Sequence, residues 1–123
     1  MNTIKTKSAP EAIGPYSQGI VANGFLYTSG QIPLNPDSGT IEAEGIEAQT
    51  EQSIKNLGEI LKAAGTDFSK VVKTTCFLAH ISDFAAFNVV YEKYFTGKPA
   101  RSCVEVGALP KNALVEIEAV AVL

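Results

Sequence analysis

Tryptophan is absent from the 123-residue chain, and cysteine occurs only twice, at Cys76 and Cys103. With hydrophobic residues making up 46% of the chain, two cysteines do not indicate a disulfide framework, and a reducing cytoplasm is the expected location. No apolar run approaches the ~20 residues that cross a bilayer, and no apolar stretch of signal-peptide type follows the basic start of the chain. We therefore expect no membrane partner.

Charge of one sign is not concentrated anywhere in the sequence. Ten basic and thirteen acidic residues leave a formal net charge of −3, and the lysines are scattered. Proteins that bind nucleic acid usually carry a clustered basic surface, so this composition argues against a nucleic-acid partner. The single histidine, His80, and the two distant cysteines lack metal-ligand spacing, and no glycine-rich phosphate loop is present. The sequence thus indicates neither a metal nor a cofactor.

The apolar pattern predicts a single domain over residues 1–123 that contains five strands. Asn23-Gly24 tolerates the positive φ of a tight turn and predicts a hairpin around it. Further β-rich runs predict a strand that is buried on both faces and two later strands. The predicted strands cover 17–22, 25–30, 71–79, 101–106 and 113–122.

Two stripes of apolar residues at helical spacing predict two helices. The first covers 46–64 and ends at Gly65, where a left-handed cap is expected. Gly58 inside this helix is unfavourable and suggests a close approach to a sheet. The second begins at Ser82 or Asp83 and stops before Gly97 and Pro99. The order β-β-α-β-α-β-β defines an α+β fold with one mixed sheet and two helices.

Two helices can cover only one face of such a sheet. The other face is expected to keep apolar side chains: Cys76, Leu78, Leu114, Val120 and Val122. A monomer that exposes this much contiguous apolar surface is unusual, so the pattern predicts oligomerisation through the open face.

The last two strands are expected to form a hairpin that carries an arginine and two carboxylates. Strand residues two apart share a face, and the apolar sets are expected under the helices. The open face then carries Arg101, Cys103, Glu116 and Glu118, with Arg101 opposite Glu118 and Cys103 opposite Glu116. Two interpretations remain open. The charges form a cross-strand or intersubunit salt bridge, or the arginine binds a substrate carboxylate beside a carboxylate that orients water.

Asn88 is a polar residue on the apolar stripe of the second helix. It is either a hydrogen-bonded group of the core or an amide that faces a site. Cys103 belongs to a residue type that is more often a small buried hydrophobe than a nucleophile. His80 lies at the end of a predicted strand, where an exposed or capping role is the simplest interpretation.

Several blocks of the sequence closely resemble the RidA/YjgF family of reactive-intermediate deaminases, also described as the L-PSP endoribonuclease-like family. These blocks are AIGPYSQG at 12–19, TSGQIP at 28–33, PARSCVEVGALPK at 99–111 and VEIE at 115–118. The resemblance spans nearly the whole chain. One departure is the connection Thr96-Gly97-Lys98, which is shorter than in many members and leaves the shape of the cleft open.

This resemblance implies a chorismate-mutase-like fold and a homotrimer with three clefts between subunits. It implies hydrolysis, without a cofactor, of 2-imino and enamine acids such as 2-iminobutanoate, 2-iminopropanoate and 2-aminoacrylate to 2-keto acids and ammonia. Arg101 would hold the substrate carboxylate and Glu116 would position the attacking water. The cleft would be lined by Tyr16, Ser29, Gly30, Asn88 and Cys103, the last through its backbone.

Two other functions remain open at this point. One is a translation-inhibiting endoribonuclease, an activity also attached to this family, against which the acidic composition argues. The other is a non-catalytic trimer that binds small acids or acts as a chaperone. Arg101 and Glu116 do not separate binding from catalysis, whereas keto-acid production does.

Overall fold

Alternating apolar residues and tight turns build one six-stranded sheet. The computed structural model describes all 123 residues. Its strands run in the order β1-β2-β3-β6-β4-β5, and β4 and β5 are the one parallel pair. The predicted α+β fold with a mixed sheet and two helices is confirmed, with the short β1 as an addition. The elements are β1 (Asn2–Ile4), β2 (Gly19–Ala22), β3 (Phe25–Thr28), α1 (Gly45–Ala63), β4 (Val71–Leu78), α2 (Phe84–Tyr94), β5 (Ala100–Glu105) and β6 (Val115–Val122).

The turn residues adopt the conformations that their types predict. Asn23 and Gly24 have φ values of 52° and 80°, and they join β2 to β3 in the predicted hairpin. Gly65 follows α1 with φ of 82°. Gly58 is explained differently from the prediction, because a Cβ there would lie 2.9 Å from the ring of Phe68. Its close neighbour is therefore a ring of the following 3-10 turn and not a strand of the sheet.

The hydrophobic core lies between the two helices and one face of the sheet. It contains alternate residues of β6 and the apolar stripe of α1, with Phe87 of α2 fully buried. Burying one large aliphatic or aromatic side chain stabilises a fold by roughly 1.5–3 kcal/mol, so this layer holds the sheet and helices together. No helix in the structure has both the length and the hydrophobicity to span a bilayer.

The predicted hairpin of the last two strands is wrong. β4 lies between β5 and β6, and it pairs with β5 in parallel and with β6 antiparallel. Arg101 therefore lies beside Thr74 and Cys103 beside Cys76, while Glu116 lies beside Phe77 and Glu118 beside Thr75. A parallel pair needs a crossover, which α2 supplies, and the 106–114 connection then passes the end of β4 to reach β6.

The side chains of β4 also face differently from the prediction. Cys76 and Leu78 are fully buried under the helices, because the pairing shifts between Val71 and Lys73 and alters the alternation of faces. The open face is nevertheless apolar in places. Its exposed side chains include Phe25, Tyr27, Val104 and Val122, each between 37% and 48% exposed.

Candidate functional site

Arg101 is the one arginine of the chain, and it lies on the edge strand β5. Its strand neighbour Thr74 is fully buried on the helix-covered face of the sheet, so the side chain of Arg101 emerges on that face and meets α2. The edge position leaves Arg101 half-buried, which suits a charged side chain because its stem is covered while its head reaches solvent.

Three aromatic rings of α2 pack against the guanidinium. The Cζ atom of Arg101 lies 4.8 Å from the ring centre of Tyr91, 5.3 Å from that of Phe84 and 5.9 Å from that of Phe87. These distances are typical of cation–π contacts. Phe84, Phe87 and Tyr91 are together called the aromatic cage below.

Asn88 is the hydrogen-bond partner that the chain offers to Arg101. The Nη1 atom of Arg101 donates to Oδ1 of Asn88 at 2.8 Å. Asn88 is therefore a hydrogen-bonded group, as the first interpretation expects. Its partner is the candidate ligand-binding residue, so it also faces the site, as the second interpretation expects. The acceptor is neutral, so it orients the guanidinium and leaves its positive charge uncompensated.

A cleft of about 380 Å³ opens beside Arg101 and is lined by Asn88, Tyr91, Glu92, Phe95, Lys98, Pro99 and Arg101. Sequence reasoning did not assign Glu92 or Lys98 to a site. In the sequence, the feature that pointed to Lys98 was the short connection before Pro99. In the structure, Lys98 has a φ of 52° and donates its N–H to the carbonyl of Phe95. The signal for the aromatic cage was the apolar stripe of the second helix.

The two cysteines are neighbours on β4 and β5 and are both free thiols. Burial raises the pKa of Cys103, and the nearby guanidinium of Arg101 only partly opposes this shift. Burial raises the pKa of Cys76 to about 12. Both groups are therefore protonated at neutral pH, which argues against a thiolate nucleophile at Cys103. No group of three metal-ligating side chains is present in the chain.

A second cluster forms around Glu116 on the open face of the sheet. Gly30 follows β3 and approaches so closely that a Cβ at this position would lie 2.7 Å from Cδ and 2.9 Å from Cγ of Glu116. Burial, followed by the charge of Glu118, raises the pKa of Glu116. A carboxylate with a raised pKa is a stronger base than an ordinary glutamate, which suits it for proton transfer.

Ser29 and Tyr16 extend this second cluster toward the amino terminus. The Oγ atom of Ser29 donates to the carbonyl of Ser17 at 2.5 Å, which fixes the 12–19 segment against the end of β3. Tyr16 is 53% exposed and lines a separate cavity of about 440 Å³ that the 3–18 segment forms with Pro36. The hydrogen bond thus connects the segment that carries Tyr16 to Ser29, whose neighbour Gly30 lies against Glu116.

Within one chain, the two clusters lie on opposite faces of the sheet. Arg101, Asn88 and Cys103 belong to the helix-covered side, and Glu116 and Gly30 belong to the open side. The expectation that Arg101 and Glu116 share a face is therefore wrong. The error came from the hairpin register, which ignored the intervening strand β4.

Comparison with known proteins identifies this type of small α+β domain. The sequence profile of the family described as "Endoribonuclease L-PSP" matches residues 6–123. The chain belongs to this family, which is also known by the names Rid and YjgF, as the resemblance predicted.

Relatives and solved structures agree over almost the full chain. The human 2-iminobutanoate/2-iminopropanoate deaminase is 51% identical over 120 residues, which is 97% of this chain and 88% of that protein. The RutC family protein slr0709 of Synechocystis is 54% identical over 126 residues, covering 100% of this chain and 97% of that protein. The crystal structure of E. coli TdcF with bound serine matches with a TM-score of 0.94 at 42% identity, covering 100% of this chain and 99% of that one.

Proposed function

We propose that the protein hydrolyses 2-imino acids and their enamine tautomers to 2-keto acids and ammonia. The observation that carries this proposal is the single arginine, which is held by rings and a neutral amide at the wall of a cleft. A guanidinium presents five N–H donors in a plane, and one of them is used by Asn88. The others can bind a carboxylate in two-point geometry.

The names of related proteins support this choice of substrate. The human relative is named for 2-iminobutanoate and 2-iminopropanoate. E. coli TdcF was crystallised with serine, a small acid with a carboxylate next to a nitrogen-bearing carbon. Carried to this chain, the cleft beside Arg101 would take a small 2-imino or 2-keto acid of the same kind.

A homotrimer would complete each site. The Arg101 cluster and the Glu116 cluster lie on different faces of one chain, so they can meet only if the Glu116 side of one copy packs on the Arg101 side of the next. Contact between two different surfaces generates a ring when the rotation closes, and a three-fold ring contains three equal sites. The exposed apolar side chains of the open face would supply buried area for this contact.

The reaction requires only side chains and water. Arg101 binds the carboxylate and fixes the iminium carbon near Glu116, which lowers the entropic cost of the encounter. A water molecule adds through its oxygen to this carbon, the C=N π pair moves to nitrogen, and Glu116 accepts one water proton. Glu116 returns this proton to the nitrogen and makes it a leaving group. The C–N bond then breaks as C=O forms, Glu116 accepts the hydroxyl proton, and ammonia departs and is protonated to ammonium in water. An enamine substrate first takes up a proton from solvent at its β carbon while its nitrogen lone pair forms the C=N bond of the iminium. No metal or redox cofactor takes part in these steps. Cys103 would contribute backbone contacts beside Arg101, and Tyr16 would line the cleft.

Loss of the guanidinium tests this proposal. A threonine dehydratase generates the imine in situ, and lactate dehydrogenase reports the keto acid. Arg101→Ala should reduce the protein-dependent rate to background, whereas Lys93→Ala, which removes an exposed lysine of α2 outside the cleft, should leave it unchanged. Full activity of Arg101→Ala would refute the role of Arg101.

Mixing two inactive variants tests the shared site. In trimers reassembled from equal amounts of Arg101→Ala and Glu116→Gln, a site needs its Arg101 cluster from one variant and its Glu116 cluster from the other. Random assembly makes about a quarter of the sites fully native, so about a quarter of the wild-type rate should return. A mixture that stays inactive while trimers exchange subunits would refute a site built from two chains.

The name of the family profile favours one alternative, an endoribonuclease. The net charge of −3 gives this alternative little electrostatic support, because RNA binding depends on phosphate contacts. Cleavage of a defined RNA that is lost in Arg101→Ala, together with no keto-acid production, would favour it over the deaminase.

A cytoplasmic location completes the proposal and is supported by the two free thiols.

A further inference from the structure

We infer that the aromatic cage of α2 positions Arg101 for its ligand before the ligand arrives. This inference rests on the proposed function and adds a set of positioning residues to it. Phe84, Phe87 and Tyr91 do not need to touch the substrate. They act through the guanidinium, whose orientation decides whether a carboxylate meets two N–H donors or one.

The cage residues occupy one face of α2. Phe84, Phe87 and Tyr91 are spaced three and four residues apart, and Asn88 lies between them on the same face. All four contact the guanidinium, three through rings and one through an amide oxygen. The centre of every ring lies within 6 Å of Cζ, so the rings surround the charged head of Arg101 and do not only cover its aliphatic stem.

The rings and the ligand use different parts of the guanidinium. Aromatic rings attract a cation through the negative electrostatic potential of their faces, and they accept no conventional hydrogen bond from the in-plane N–H groups. The cage therefore restrains the side chain of Arg101 while its donors remain available. A free arginine side chain loses much rotamer freedom when it is immobilised, and a side chain that is already ordered binds more tightly for the same contacts.

The inner part of the cage belongs to the core. Phe87 is fully buried, Tyr91 is 8% exposed, and the hydroxyl groups of Tyr91 and Thr74 share a 2.7 Å hydrogen bond. Substitution of Phe87 or Tyr91 would therefore disturb the core as well as the orientation of Arg101. Phe84 is 38% exposed at the rim of the cage and can be changed without opening the core.

Phe84→Leu tests the inference with two readouts. Arg101 is the only arginine, so its Nε–Hε pair gives a single, unambiguous side-chain signal in a ¹H–¹⁵N spectrum. In Phe84→Leu this signal should report larger side-chain motion. The dissociation constant of 2-oxobutanoate and the apparent KM for the imine should both rise about fivefold, with kcat within about twofold of wild type.

Two further variants separate positioning from general loosening of the helix. Phe84→Tyr keeps the ring and should match the wild type in all readouts. Val89→Ala truncates a side chain of α2 that is 48% exposed and outside the cage, and it should also match the wild type. The inference is overturned if Phe84→Leu leaves the arginine signal and the dissociation constant unchanged, or if Val89→Ala changes them equally. A wild-type protein without deaminase activity would refute the proposed function alone, since binding and arginine motion still report on the cage.

Discussion

Replacing Asn88 by aspartate tests whether Arg101 must keep an uncompensated charge to bind its ligand. In the native chain, Nη1 of Arg101 donates to a neutral amide oxygen at 2.8 Å. The substitution keeps the size and shape of the side chain and puts a carboxylate oxygen in the same place. The chain would then supply the counter-ion that the substrate is proposed to supply.

The size of the effect follows from the distance and the exposure. Two unit charges about 4 Å apart interact by about 4 kcal/mol at an effective dielectric constant of about 20, and exposed ion pairs are worth only about 0–1 kcal/mol. Arg101 and Asn88 are both half-buried, so a value of about 2 kcal/mol lies between these limits. A substrate carboxylate would have to overcome this competing pair, which corresponds to about a thirtyfold increase in the dissociation constant.

Calorimetric titration with 2-oxobutanoate measures this increase directly, and the coupled assay measures the apparent KM. Asn23→Asp is the matched control, because it adds the same charge in the exposed β2–β3 turn, and it should bind like the wild type. The urea midpoint of Asn88→Asp should not fall, since the new ion pair replaces a hydrogen bond. Wild-type binding by a folded Asn88→Asp protein would refute the argument that the neutrality of this partner matters.

Three further predictions concern the Glu116 cluster. Glu116→Gln should lower kcat by about 10²–10⁴-fold with little change in the binding of 2-oxobutanoate, because it removes a proton acceptor and keeps the shape. In the wild type, kcat should fall as pH drops through the raised pKa of Glu116, at a higher pH than the ordinary value of 4.5 would give, and this limb should vanish in Glu116→Gln. Gly30→Ala should displace the Glu116 carboxyl by steric overlap and lower kcat, whereas Gly39→Ala, at a position with free space around it, should affect only the stability of its turn. An unchanged rate in Gly30→Ala would show that the position of Glu116 is not critical.

Local chemistry was sufficient to predict the helices and strands of the fold except β1. Asn23-Gly24 specified a turn because both residues accept positive φ, and Gly65 marked the end of α1 for the same reason. The helices were predicted because their apolar residues recur at 3.6-residue spacing over many turns. These features depend on residues close in sequence, and the structure contains them within a few residues of the predicted bounds.

Strand order was not predictable from the same information. The alternation of β5 and β6 fits a hairpin as well as it fits two strands separated by β4, because periodicity reports the face of a residue and not its neighbour. The sequence also did not decide which side chains of β5 face the helices. An edge strand can carry a charged residue such as Arg101 on the covered side, because the head of the side chain still reaches solvent. In β4, the irregular pairing at Val71 and Lys73 moved Cys76 and Leu78 to the covered side.

The separation of the two clusters explains why a small chain can hold an arginine and a glutamate with opposite requirements. Arg101 needs a neutral and aromatic environment that leaves its charge unpaired, and Glu116 needs partial burial that raises its pKa. If the two side chains lay next to each other in one chain, an ion pair between them would cancel both properties. With the sheet between them, each side chain keeps its own environment within one chain, and only the proposed assembly of two copies would bring them together. In the proposed trimer, the substrate would then occupy the gap, with its carboxylate on the arginine and its electrophilic carbon toward the glutamate.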